Sequence, residues 1–313
     1  VKIYRDLAET PADFGPCALT IGNFDGVHAA HRRILRRVCA VAAERGLSPS
    51  VLTFHPHPTV IVAPERAPRL MTTPEQRALL MAGEGIEQVL ILPFTAAFSQ
   101  LKPEQFVERV LAGRLRARAV LVGSNFRFGA GQEGDVEALA RFGERYGFAT
   151  EVVPALRRRG RMVSSSALRL LTAQGKVSIA ARLLERPYAL EGDVVSGRGV
   201  GARQTVPTLN LATESQVIPA SGVYVTRTFD LDGARSWRSV TNIGYRPTFG
   251  ESDRLSIETF LLDALEGAAP ARIRVEFLYR LREERKFASP ELLKAQILRD
   301  VARAQAYFRR SGC

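Results

Sequence analysis

Cysteine is scarce in this sequence. Its three residues, Cys17, Cys39 and Cys313, are odd in number and have neither the pairing of a disulfide framework nor the spacing of a zinc site. A reducing compartment, the cytoplasm, is therefore expected. Long apolar runs are also missing. The longest stretch without an acidic, basic or histidine side chain, residues 88–101, has 14 residues, and about 18–20 are needed to span a bilayer. No transmembrane helix and no membrane partner are expected. The opening VKIYRDLAET holds no apolar signal core, so secretion is not expected either. No repeat or low-complexity segment is found. Hydrophobic residues at 46% and charged residues at 24% are ordinary for a globular chain, which excludes disordered, collagen-like and coiled-coil classes.

What the sequence has in excess is positive charge. The formal net charge is +12 over 313 residues. Residues 1–183 carry a net +9 and residues 184–313 a net +3. Such a balance points to polyanionic partners: nucleic acid, an acidic membrane surface or small phosphorylated ligands. Solvated arginine-rich helix faces account for the same excess without any ligand, and the run Arg157, Arg158, Arg159 reads as a solvated loop. Composition alone does not choose between these.

The length suggests two domains. In the first half strands and helices alternate. Strands are expected at residues 17–22, 50–54, 88–92, 118–122 and 149–153, with helices at 30–45, 73 onward, 103–112 and 135–146. This rhythm implies a mostly parallel sheet covered by helices. Near Arg186 and Pro187 the rhythm changes to short alternating β-runs at 189–195, 222–229, 237–243, 255–262 and 273–279, which implies a small antiparallel barrel or sandwich. A last helix, residues 290–308 capped by Ser289, would pack on it through Leu292, Leu293, Ile297, Leu298, Val301 and Ala302. The domains are set at 1–185 and 186–313.

The segment TIGNFDGVHAAH follows the first strand and opens a helix. Ligands of parallel α/β sheets sit at the carboxyl ends of strands, and a helix N-terminus offers unpaired N–H groups to an anion. His28 and His31, three apart, share one side of the first turn, and Gly22 and Gly26 allow close backbone approach. A phosphate site and an N-capping histidine are both open at this point. Asp25 either holds the loop or faces a metal.

These residues resemble the HxGH motif of nucleotidyltransferases and, more closely, the GxFDGVHxGH of the bacterial bifunctional riboflavin kinase/FAD synthetases. Ala30 stands where that family usually has glycine. The resemblance implies that Gly22, Phe24, Asp25 and Gly26 form part of a nucleotide site. It extends to FHPHP at residues 54–58, where a proline-stiffened turn is the favoured reading of His57. It includes VGSNFRFGAGQEGD, where Asn125 would hold substrate and Phe126 and Phe128 are either core or stacking residues. It also includes RGRMVSSSALR, similar to a mobile phosphate-gripping loop, in which Arg161, Ser164, Ser165, Ser166 and Arg169 would meet phosphate. The implied reaction is adenylyl transfer from ATP to FMN, with His28, His31, Arg161 and Ser165 catalytic.

In the second half, Gly197, Gly199 and Gly201 make a glycine-rich loop, and Thr208 and Asn210, two apart on an extended segment, point the same way. A hydroxyl and an amide oxygen are hard ligands suited to Mg²⁺ with phosphates. PTLN at 207–210 resembles the PTAN signature of riboflavin kinase. Ala202 and Thr205 depart from the family's preceding loop, and Arg203 would compensate. NIGYRPTFG from Asn242, and SIETF, in which Phe260 replaces histidine, continue the likeness. By that likeness Glu258 is the general base for phosphorylation of riboflavin. Arg282 lies in an ending that packs the last helix or reaches flavin or nucleotide.

The resemblance thus implies an α/β nucleotidyltransferase domain with a Rossmann-like parallel sheet, then a small antiparallel β-barrel with a terminal helix. It implies ATP, riboflavin, FMN and FAD as ligands and Mg²⁺ as cofactor, with no nucleic acid; a homo-oligomer is open. A cytidylyltransferase or phosphopantetheine adenylyltransferase would share the first domain but needs no PTxN barrel. A nucleic-acid binder would use the +9 half without turning over ATP. Decay of one active site would show first at Ala30, Ala202 or Thr205.

Overall fold

Strands and helices alternate through the first half of the structure, a computed structural model that describes residues 1–195, 208–248 and 251–312. The chain divides into two units, Val1–Ser165 and Ser166–Cys313. The first contains, in order, β1 (Lys2–Tyr4), β2 (Cys17–Ile21), α1 (Ala29–Arg45), β3 (Ser48–His55), α2 (Pro58–Val62), α3 (Pro74–Ala82), β4 (Gln88–Pro93), α4 (Ala96–Ser99), α5 (Pro103–Phe106), β5 (Ala117–Gly123), α6 (Val136–Tyr146) and β6 (Ala149–Val153), then a hairpin of β7 (Arg157–Arg158) and β8 (Arg161–Met162). Six strands form one parallel sheet in the order β1-β4-β3-β2-β5-β6.

Central β2 is buried at all five residues, as expected of a parallel strand with helices on both faces. Leu19 and Ile21 join one core with Leu111 and Leu139, while Ala18 joins the other with Val38 and Val89. The chain winds from β2 through β3 to β4, then crosses back to place β5 on the other side of β2. The crevice at the carboxyl ends of β2 and β5 is therefore the switch point where such sheets bind ligands.

Local signals did their work. Gly46 ends α1 in the left-handed conformation at φ 63°. Thr73 and Gln76 form a complete capping box on α3. The helix expected over 103–112 is α-helical only to Phe106 and runs on as a π-helix over Val107–Arg114. Leu115 N bonds Val110 O, five residues back, at 2.9 Å. A Cβ on Gly113 would come within 2.8 Å of Glu108 O, so glycine allows this wider turn.

The second unit contains α7 (Ser165–Ala173) beyond its first residue, α8 (Val177–Leu184), β9 (Tyr188–Val195), β10 (Thr208–Ala212), β11 (Gly222–Asp230), β12 (Ser236–Thr248), β13 (Glu251–Leu261), β14 (Arg272–Glu283) and α9 (Pro290–Ser311). Its six strands close into an antiparallel barrel, β10-β13-β12-β11-β14-β9. Helix α8 belongs with this unit, and Ser178 Oγ donates to Leu278 O of β14 at 2.9 Å. Strand β10, which composition did not separate from its turn, supplies the sixth stave.

Helix α9 turns a different face inward from the one its leucines suggest. Gln296, Asp300, Ala304 and Phe308, four apart, are the buried residues, while Leu292, Leu293 and Leu298 are exposed. The reason is electrostatic. Asp300 accepts from Arg282 Nε at 2.8 Å and from Gln296 Nε2 at 2.8 Å, and Arg285 reaches Gln296 Oε1. That polar ladder fixes the helix azimuth, and Ala304 and Phe308 then pack on Val223, Val225 and Val240. Among the described residues no helix is long and apolar enough to cross a membrane.

Candidate functional site

The turn after β2 is strained and firmly held. Phe24, Gly26 and Val27 have φ of 50°, 78° and 38°, a backbone region that ordinary side chains avoid. Buried Asp25 pins it. Its carboxylate accepts from Met71 N at 3.0 Å, Thr72 N at 3.2 Å and Thr72 Oγ1 at 3.1 Å. Of the two readings of Asp25, loop anchor is the one these bonds describe. The turn delivers His28, 3% exposed, to the N-cap of α1, where its Nδ1 accepts from His31 N at 3.3 Å. A neutral imidazole accepting at Nδ1 carries its proton on Nε2. The His28 and His31 rings stack at 3.6 Å between centroids with 16° between planes, and Phe24 meets His31 edge-on at 5.0 Å.

Both histidines line a cavity of about 890 Å³ that opens at the carboxyl ends of the sheet. Gly22, Phe24 and Ala30 also line it, as do Asn125, Phe126, Phe128, Ser164 and Ser165. Ser165 Oγ donates to Asp25 O at 3.0 Å. Asp25 and Gly26 lie behind the wall rather than on it. Arg161 is exposed on β8, Ser166 is exposed in the first turn of α7, and Arg169 is half-buried one turn further on. None of these three is among the residues that line the cavity.

The apolar wall is richer than the sequence suggested. Phe54, Phe94, Phe98, Phe106, Phe126 and Phe128 all line it, in a connected chain of ring contacts with centroids 5.4–6.0 Å apart. Phe128 is both core and wall, 7% exposed and within the main core cluster. Phe94 and Phe98 come from the uncharged stretch that served only to exclude a membrane span. His57, favoured as part of a turn, does cap α2 by accepting from Thr59 N at 3.2 Å. It also lines the cavity, with Nε2 3.0 Å from the Asn23 side-chain amide. Asn23, a variable letter of the motif, is a wall residue that motif reading passed over.

In the barrel, register gathers residues far apart in sequence. Asn210 pairs with Glu258, Glu258 with Asn242, Asn242 with Val223 and Val223 with Arg282. Directly paired residues of antiparallel strands share a face, so Asn210, Glu258 and Asn242 form one polar row. Leu209 and Leu211 are buried, alternating with exposed Thr208, half-buried Asn210 and exposed Ala212, the pattern of a one-sided strand. Ser256 Oγ donates to Glu258 Oε1 at 3.0 Å. Arg282 ends the row but is turned to Asp300 and lies 5.7 Å from the Phe287 ring, the packing half of its two expected roles. Gly197, Gly199, Gly201, Ala202, Arg203 and Thr205 lie outside the described residues. The row therefore offers one carboxylate flanked by two amides, with a hydroxyl nearby on the same strand face.

The comparisons with known proteins follow this division. A model of the FAD synthetase family matches residues 10–167, and one of the riboflavin kinase family matches residues 184–308. A bifunctional riboflavin kinase/FMN adenylyltransferase from Pseudomonas fluorescens is 36% identical over 98% of this chain and 97% of its own length. One from Bacillus subtilis is 32% identical, covering 93% of this chain and 92% of its own. A crystal structure of a macrolide-efflux protein from Streptococcus pneumoniae matches with a TM-score of 0.86 over 97% of this chain and 98% of that one. At 24% identity that likeness speaks for the fold alone.

Proposed function

Because the chain belongs to the family of bifunctional riboflavin kinase/FMN adenylyltransferases, we propose that it makes FMN in its barrel unit and FAD in its α/β unit. We assign these two catalytic domains to residues 1–185 and 186–313. In the first reaction the ribityl 5′-hydroxyl of riboflavin attacks the γ-phosphorus of ATP. An O–P bond forms, the bond to the β-phosphate oxygen breaks, and ADP leaves. Glu258 takes the hydroxyl proton, and its neighbours Asn210 and Asn242 hold it in the row. Thr208 and Asn210 supply hard oxygen donors that fit a divalent cation, and Mg²⁺ there would neutralise phosphate charge.

In the second reaction the FMN phosphate attacks the α-phosphorus of ATP, and pyrophosphate leaves. The attacking phosphate is already ionised, so no protein nucleophile is needed. Catalysis is then positioning and charge stabilisation. His28, its Nδ1 committed to the helix cap, offers Nε2–H to phosphate oxygen. His31 lies stacked beside it, Ser164 adds a hydroxyl, Ser165 ties the serine loop to the turn through Asp25 O, and the amides at the start of α1 add a positive dipole end. Asn125 contributes an amide. The phenylalanine wall suits a flat flavin ring, which stacks on aromatic faces. Arg161 and Arg169 we assign to the ATP phosphates once substrate is bound. Free Cys17 and Cys39 support the cytoplasm as the compartment.

The observation that carries this reading is the stacked His28–His31 pair on the wall of the switch-point cavity. Incubation with riboflavin, ATP and Mg²⁺, followed by chromatography of the flavins, should yield both FMN and FAD. A preparation that turns over ATP yet leaves riboflavin unchanged would end the reading.

A further inference from the structure

Helix α3 contributes no residue to the cavity, yet it carries the largest fully buried side chain among the described residues. Arg77 is 1% exposed. Its Nη1 donates to the main-chain oxygen of Asn23 at 2.5 Å, with Thr53 Oγ1 at 3.4 Å. Thr53 Oγ1 itself donates to the same Asn23 oxygen at 3.3 Å. Asn23 is the wall residue whose side-chain amide meets His57. The next residue, Phe24, is the first of the three positive-φ residues, Phe24, Gly26 and Val27, that lead to His28. Met71 and Thr72, just ahead of α3, bind Asp25 from the same side. One short stretch thus grips the nucleotide turn at two points either side of Phe24, Asn23 through a guanidinium and Asp25 through two amides.

A buried guanidinium is expensive to desolvate, and an apolar side chain of similar volume is often as stable or more so. Here burial lowers the Arg77 pKa, while Asp25 and Glu75 raise it. Its buried Nε has no hydrogen-bond partner among the described residues. Packing is thus better served by methionine. What methionine cannot supply is a donor to the Asn23 carbonyl. Without it that oxygen keeps only Thr53, and the strained turn gains freedom where reacting groups need sub-ångström placement.

We propose that Arg77 is a positioning residue for FMN adenylylation, acting through the Asn23 carbonyl on the turn that carries His28. This rests on the adenylylation reading of the cavity. The two activities supply an internal control, since riboflavin phosphorylation uses the barrel unit.

The test compares wild type with Arg77→Met, Arg77→Ala and Arg77→Lys in the full chain. Arg77→Met should lower kcat for FMN to FAD by about tenfold to a hundredfold, leave KM for ATP and FMN near wild type, keep riboflavin phosphorylation unchanged and keep the unfolding midpoint. Arg77→Lys, which retains a donor, should fall between. Millimolar guanidinium should restore part of the kcat lost in Arg77→Ala and none of that lost in Arg77→Met, whose side chain fills the space. An Arg77→Met protein with wild-type kcat for FAD formation, or one in which both activities fall together, would overturn the inference. A wild-type chain that makes FMN but no FAD would instead remove the reading on which it rests.

Discussion

Ser165 Oγ donates a 3.0 Å hydrogen bond to the main-chain oxygen of Asp25, 140 residues earlier in the chain. The bond joins the end of the first unit to the strained turn after β2, so the serine loop and the two histidines border one cavity. Ser165→Ala removes it and opens that junction. FAD formation should drop about tenfold, in proportion to a lost bond of roughly 1.5 kcal/mol to a positioned backbone, with FMN formation unchanged. Separate rate measurements on riboflavin and on FMN check this.

His28 has two jobs that substitution can separate. Asparagine caps helices well but lacks the ring N–H. His28→Asn should keep the unfolding midpoint and lose about 10²-fold or more in FAD formation. His28→Ala should lose the same activity and also about 1 kcal/mol of stability. Equal stability in both variants would mean that the 3.3 Å cap contact contributes nothing.

Glu258 stands between two amides in the barrel row. Glu258→Gln keeps the shape and the bond to Ser256 but cannot take a proton. FMN formation should fall by about 10²–10⁴-fold, while FMN added directly is still converted to FAD. If FAD formation fell as far, the division of labour between the units would be wrong.

The inward face of α9 can be tested by stability alone. Phe308 is 2% exposed and packs on the barrel, so Phe308→Ala should cost roughly 3–5 kcal/mol. Leu298 is 61% exposed, so Leu298→Ser should change stability by less than about 0.5 kcal/mol. Denaturant titration gives both values. The reverse order would restore the leucine face as the buried one.

Asp230 gives a pH test. Hydrogen bonds from the Arg235 side chain hold its carboxyl below the usual range. A depressed pKa in the folded state means the unfolded chain binds the proton first. The stabilisation is therefore complete above the unfolded value near 3.9 and is lost as pH falls through the folded value. Thermal midpoints of Asp230→Asn should vary less with pH below about 4 than those of the wild type, and an unchanged slope would count against the linkage.

Five of the six strands of the first sheet were legible because each is a short apolar run bounded by helix signals, and Gly46 and Thr73 act within a few residues of themselves; their order in the sheet, and β1 at its edge, were not. The residues of the cavity that carry a motif were legible for the same reason. Phe94, Phe98 and Phe106 were not, because an aromatic residue in an apolar run looks the same whether it faces a core or a cavity. The face of α9 was misread because periodicity weighs apolar residues and cannot see that Arg282, on another strand, will draw Asp300 inward. Arg77 was invisible for a related reason. An arginine in an amphipathic helix looks solvated until a backbone oxygen from another element is placed against it.

By itself, then, the sequence determined what local chemistry can determine: where most strands and the longer helices lie, the histidine spacing on the first turn of α1, and the alternation that sets Thr208 and Asn210 on one side of β10. Only the tertiary structure decided which of those groups meet. Barrel closure aligned Asn210, Glu258 and Asn242, and the crossover from β4 to β5 brought six phenylalanines and three histidines around one hollow. Such contacts depend on register and on the balance between burying charge and pairing it, and neither quantity is written in any single stretch of chain.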